Sequence, residues 1–193
     1  STFKKVYYDD LLGRAVSKFV PADDLVVPYM ATSLNDADSI IQTIKISEND
    51  LRKQQVGGFY SDIDLGPPSD PNKNDVEKKE KELDGTKKVG KQEPVYNLLE
   101  CHVNLDLEGF EDKDDELNPT GIKLPYIVTV DEGSKKVLSI RRNYQPTDPK
   151  RNKIQYFVHF KFLPGLGFYG FGLIHMIGGL SRTATAALRQ LLD

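Results

Sequence analysis

Three glycines, Gly165, Gly167 and Gly170, fall in HFKFLPGLGFYGFGLIHMIGG (159–179) as a literal G-x-G-x-x-G. A β-rich run (155–162) precedes them and a helix-like run follows. In that local order, backbone N–H groups at a helix N-terminus can hold a phosphate. The chemistry would be dinucleotide or nucleotide binding. The surroundings withhold its other parts. A dinucleotide fold places an acidic residue about twenty positions on, after a second parallel strand, to hold the ribose hydroxyls. No Asp or Glu occurs from Gly165 to Leu192. No G-K-[ST] follows the glycines, and V-A-I-K and H-R-D are absent downstream, so P-loop and kinase readings lack their lysine and catalytic acid. The glycines read instead as a tight strand-to-helix turn after Pro164, where a missing Cβ permits close backbone approach. A nucleotide-binding enzyme domain using this turn is the alternative.

Other reactive residues form no set. Cys101 is the single cysteine, which rules out an internal disulfide and a cysteine zinc cluster. A chain of this size without bridges suits the cytosol or a particle assembled there. Cys101 and His102 are adjacent, so in a strand they point to opposite faces. His159 and His175 have no spacing partner. EDKDDE (111–116) is acidic but lacks the D-x-D-x-D-G order of a calcium loop. The pairs Asp9-Asp10 and Asp23-Asp24 sit at turns, where Asp is common for backbone reasons. No Ser/His/Asp or Cys/His set stands out. The residues therefore assign no catalytic site, no cofactor and no metal.

Charge is unevenly spread. Residues 134–193 carry ten Lys/Arg and two acidic residues, a balance of +8 against −11 for the remainder and −3 overall. Arg141, Arg142, Lys150, Arg151 and Lys153 flank Tyr144 and Tyr156, and Arg182 and Arg189 follow in the C-terminal run. These seven are the candidate nucleic-acid-facing residues. No recognition helix or stacking motif accompanies them, so any contact with double-stranded DNA would be to phosphate, salt-sensitive and blind to sequence.

The elements that must carry these residues read as an α+β chain: antiparallel β-hairpins and a meander, short helices, and a long C-terminal helix. Four segments, one domain overall, are expected. Segment 1–65 is mixed β/α, with strands at FKKVYYD, AVSKFV and DLVVPY. Small helices are expected after Ser33 in SLNDADSIIQTIKI and after Ser47, the latter stopped by Gly57-Gly58. Segment 66–94 is a charged flexible insert with little to bury. Segment 95–163 is β-rich: a long strand in PVYNLLECHVNLDL, a hairpin in PYIVTVDEGSKKVLSIRRN around Asp131-Glu-Gly133-Ser, and a strand in KIQYFVHFKF. Segment 164–193 is an elbow and a long helix. The start without Met and the end inside helix-like LRQLLD suggest a piece of a longer protein.

Residues 162–181 contain no Lys, Arg, Asp or Glu, long enough to span a bilayer if helical. Pro164 and six glycines in that run argue for a buried turn and helix start instead. The helix shows Leu173, Ile177, Leu180, Ala184, Ala187 and Leu191 at alternating spacings of four and three. That makes a narrow apolar seam, with Arg182 and Arg189 away from it. Such a helix suits packing in a bundle or against its own copy.

Three separated blocks, FVPADDLVVPYMATSLNDADSI, PYIVTVDEGSKKVLSIRRNYQPTDPKR and YFVHFKFLPGLGFYGFGLIHMIGGLSRTATAALRQLLD, resemble the portal proteins of tailed bacteriophages and prophages. The last block, a strand ending in LPG, then FYG-x-G, then a long helix, is the most specific. The resemblance implies an internal portion of a longer chain, mainly the wing region of a ring-forming structural subunit. It implies a homo-oligomer, a dodecamer in the full-length protein, at the capsid vertex of the virion and in host cytoplasm during assembly. It further implies a channel for double-stranded DNA in packaging and ejection, docking of terminase and head or tail proteins, and no enzymatic activity, cofactor or membrane. A protein-interaction module is a further alternative.

Overall fold

The computed structural model describes residues 2–9, 12–68, 94–113, 116–165 and 167–192. The chain divides into two compact units, residues 1–40 with 155–193, and residues 41–154. This division cuts across the four segments expected from sequence. Pairing between the two ends of the chain is invisible to a linear reading.

In the first unit, β1 (Thr2–Asp9) and β2 (Arg14–Val20) form an antiparallel hairpin in register from Phe3↔Val20 to Asp9↔Arg14. Gly13, at φ +61°, supplies the left-handed residue of its turn. A 3-10 turn (Ala22–Asp24) leads to the two-residue β3 (Leu25–Val26), all that forms of the third expected strand. The other neighbour of β1 is β8 (Phe157–Phe160), paired Thr2↔Phe160 through Lys5↔Phe157. The sheet order is β2-β1-β8. One face buries Phe3, Val20 and Phe157 with Leu25, Ala31, Leu34, Ala37, Ile40 and Phe168.

The second unit carries β4 (Ser39–Ser47, begun in the first), α1 (Glu48–Val56), β5 (Val95–Leu105), β6 (Leu124–Asp131) and β7 (Val137–Arg142). The sheet order is β3-β4-β5-β6-β7. Strand β5 runs the length expected for it, and its even-numbered residues Tyr96 to His102 are buried while the odd ones are only partly so. Leu98 and Leu138 sit fully buried with Leu51, Tyr60 and Tyr96. The β6–β7 hairpin turns at Asp131, whose N–H donates to Lys136 O and whose carboxylate accepts from Ser134 N. The left-handed residue is Lys135 at φ +59°, not Gly133.

Helix α1 starts as its sequence asks. Ser47 Oγ accepts from Asp50 N at 3.2 Å, and Lys53 binds the Asp50 carboxylate at 3.0 Å. Ser33 is a correction: no helix follows it, and its run becomes β4. Isoleucines at 40, 41, 44 and 46 and Thr43 are β-branched and stiff at χ1, which favours a pleated surface beside β5. Asp36 is the hub of the loop that follows Ser33. Its carboxylate accepts from Ser33 Oγ (2.6 Å), Thr32 Oγ1 (2.6 Å) and Ser33 N (2.7 Å). These bonds, that from the Ser33 hydroxyl foremost, hold its carboxyl well below the usual range.

Helix α2 (Leu173–Leu192) forms as expected from its period. The charged flexible insert expected at 66–94 falls outside the described residues except at Gly66–Pro68 and Pro94.

Candidate functional site

The glycine turn is closed by its own chain. Phe171 N donates to Leu163 O at 2.9 Å, and Leu163 N to Phe171 O at 3.3 Å. Gly170 lies at φ +68°, where a Cβ would stand 2.7 Å from Leu163 O, and Gly167 at φ +99°. A Cβ on Gly165 would meet the Phe171 ring at 2.5 Å. Self-contact and left-handed backbone therefore account for all three glycines without a ligand. The loop then drives Phe168 into the first unit's core, stacked at 5.8 Å on Phe3, while Tyr169 Oη donates to Leu25 O at 3.2 Å.

His159 is held between Phe3 (ring centroids 4.3 Å) and Phe168 (4.7 Å). Burial, with Lys161 close by, pushes its pKa down to about 4. The imidazole is therefore neutral in the fold at pH values where the unfolded chain already binds a proton. Stability from this site is complete above the ordinary histidine range near 6.5 and falls as pH drops from there to about 4. Denaturant midpoints measured between pH 7.5 and 4.5 should decline more steeply in the native chain than in His159→Phe, which keeps the stacking without the titration. Equal slopes would discount the burial of His159.

Helix α2 opens with Gly172 N donating to His175 Nδ1 at 3.3 Å. Arg189 lies in its last turn, where a cation suits the carbonyl end. Its apolar seam faces solvent: Leu173, Ile177, Leu180 (73 %) and Leu191 (82 %) are all exposed. At 3.6 residues per turn, Arg182 and Arg189 project from the side opposite that seam. Among the described residues no helix is long and apolar enough to cross a membrane.

The structure separates the seven candidate basic residues. Arg182 and Arg189 belong to the first unit, the other five to the second. Arg141 and Arg142 are successive on β7, so they leave opposite faces. Arg141 stacks on Phe59 at 4.1 Å, and Arg142 lies over Phe110 at 5.7 Å. Arg151, at φ +49°, pairs with Asp112. Lys150 is exposed and Lys153 partly buried, in a loop ordered by Asp148. Asn152 N and Lys150 N each donate to the Asp148 carboxylate at 3.0 Å, which lowers its pKa. The flanking tyrosines part as well: Tyr144 lies edge-on to Tyr126 in the second unit, and Tyr156 belongs to the first.

Sequence reasoning missed the pair His102 Nε2···Glu100 Oε1 at 2.7 Å, with both residues buried. The signal was there, since residues two apart on a strand share a face. Cys101, on the other face, is half-buried, and burial raises its thiol pKa. Among the described residues no three His, Cys, Asp or Glu are grouped to hold a metal.

No protein-family model matches the chain, and comparison with curated proteins finds no match.

Proposed function

We propose that this chain is part of a structural subunit of a tailed-phage or prophage portal ring. The ring would form the DNA channel for packaging and ejection and dock terminase and head or tail proteins. The observation that carries the reading is the resemblance of three blocks, above all LPG–FYG–helix. The blocks span the end of β2 to the start of β4 (with β3 between), the β6–β7 hairpin with its following loop, and β8 with the elbow and α2. The exposed seam of α2 supports it too, because a helix with Leu180 and Leu191 in water needs a neighbour to cover them. Of the basic residues, Arg182, Arg189, Arg142 and Lys150 are exposed. They suit phosphate contacts that carry no sequence information.

In this reading the subunit binds and positions, and carries out no bond-making step. The full gene product containing this chain, purified and imaged by electron microscopy, is expected to form closed rings. Only monomers under all assembly conditions would sink the reading. Titration calorimetry with ATP and dinucleotides tests the enzyme alternative. Saturable binding lost on changing Gly165 or Gly167 would favour it over the ring.

A further inference from the structure

Thr129 on β6 is fully buried, and among the described residues its hydroxyl finds no hydrogen-bond partner. Directly across the β6–β7 ladder stands Ser139, whose Oγ is also buried and unpartnered. Across the β5–β6 ladder Thr129 faces Glu100, itself buried. Residues directly opposite on antiparallel strands share a face, with Cβ atoms about 4.5–5.5 Å apart. Glu100, Thr129 and Ser139 therefore form one polar row on the buried face of the sheet. The next row is His102, Ile127 and Arg141, in which Arg141 Nε is buried with no hydrogen-bond partner among the described residues. Beyond it, Asn143 has both amide atoms buried, with no hydrogen-bond partner among the described residues. Its backbone is fully used, N–H to Pro125 O and C=O from Ile154 N, each at 2.9 Å.

Folded proteins rarely leave buried polar groups unpaired, and several orphans on one face call for a common partner. The ladder is irregular beside Thr129, where a register shift separates Thr129 from Val130. A bulge of this kind bends the strand and opens the pairing locally. We propose that Thr129 Oγ1 and Ser139 Oγ hold an internal water molecule between β6 and β7. Such a water can accept from one hydroxyl and donate to the other. Its second proton points to the Glu100 carboxylate in the same row. Buried waters typically make about three such bonds. The carboxylate in the row argues against an anion, and the lack of a three-ligand group among the described residues against a metal. The water joins edge strand β7 to the sheet where the backbone ladder is weakest.

The test combines a structure of the 193-residue chain at a resolution that shows ordered water with water–amide NOEs on isotope-labelled protein. A density peak within hydrogen-bond distance of both hydroxyls is expected, with a water cross-peak at the Thr129 or Ser139 amide. Thr129→Val and Ser139→Ala should each abolish that cross-peak while the chain stays folded. The double variant should unfold at a midpoint no lower than the weaker single one, because nothing then remains to hydrate. A direct hydroxyl–hydroxyl bond, or a cross-peak that survives both substitutions, would overturn the proposal. A cross-peak without density comes from hydroxyl exchange and counts against it.

Discussion

Gly170→Ala is expected to destabilise the first unit by about 2–4 kcal/mol, whereas Gly165→Ala costs under about 1 kcal/mol. The reason is what each new methyl group meets. At Gly170 it lies 2.7 Å from Leu163 O and on a backbone at φ +68°. That carbonyl cannot retreat without breaking the 2.9 Å bond from Phe171 N that closes the elbow. At Gly165 the obstacle is the Phe171 ring, an exposed side chain rather than backbone, which yields at less cost. Gly167→Ala falls between, at about 1–2 kcal/mol, since φ +99° is strained for alanine but among the described residues beyond its chain neighbours nothing stands within 4 Å of its Cβ. Thermal melts read the ranking directly. For a chain of this size the Gly170 variant should lose roughly 5–15 °C. If all three variants melt with the native chain, the glycines are not serving the elbow. A loop built to cradle phosphate would show its losses in binding, with no such order in stability.

Phe3→Ala should cost about 3–5 kcal/mol, the range for emptying a fully buried aromatic site. Phe3 is wholly inaccessible to solvent and lies against His159, Phe168 and Tyr169 at centroid distances of 4.3, 5.8 and 6.4 Å. It is the point where β1, β8 and the elbow meet, so one truncation loosens three pieces of chain. A second readout follows. With its cover removed, His159 should titrate closer to the ordinary histidine range, and the loss of stability between pH 6.5 and about 4 should flatten. Denaturant unfolding at two pH values measures both effects. A cost below about 1 kcal/mol would mean that the ring is not sealed in the core. Phe3→Leu, which keeps most of the volume, should cost less than about 1.5 kcal/mol if filling rather than aromatic geometry matters.

The seam of α2 and the elbow glycines were both legible as patterns, but their meanings differ in kind. The seam is a property of one helix, and its period survives whatever surrounds it. The glycines have two compatible readings until their neighbours are known. Only the positions of Leu163 O and Phe171 show that the loop closes on itself. The basic residues illustrate the same limit. Adjacency made Arg141 and Arg142 look like one patch with Arg151. In three dimensions one stacks on Phe59, one lies over Phe110, and the third pairs with Asp112. Partners tens of residues away settle where each charge goes.

By itself, the sequence determined the α+β class, the β1–β2 and β6–β7 hairpins, the Ser47 cap and the C-terminal helix. All rest on interactions among residues near one another in the chain: turns, caps and the period of apolar side chains. The tertiary structure alone decided that 39–47 is a strand, that β8 returns to β1, and that Glu100 and His102 are buried together. A nine-residue run with four isoleucines among polar residues is ambiguous until a neighbouring ladder claims its N–H and C=O groups, and β5 claims those of β4. Strand pairing between residues 2–5 and 157–160 is a contact across the chain that no local preference encodes. It forms because Phe3 and Phe157 must share a core to leave water.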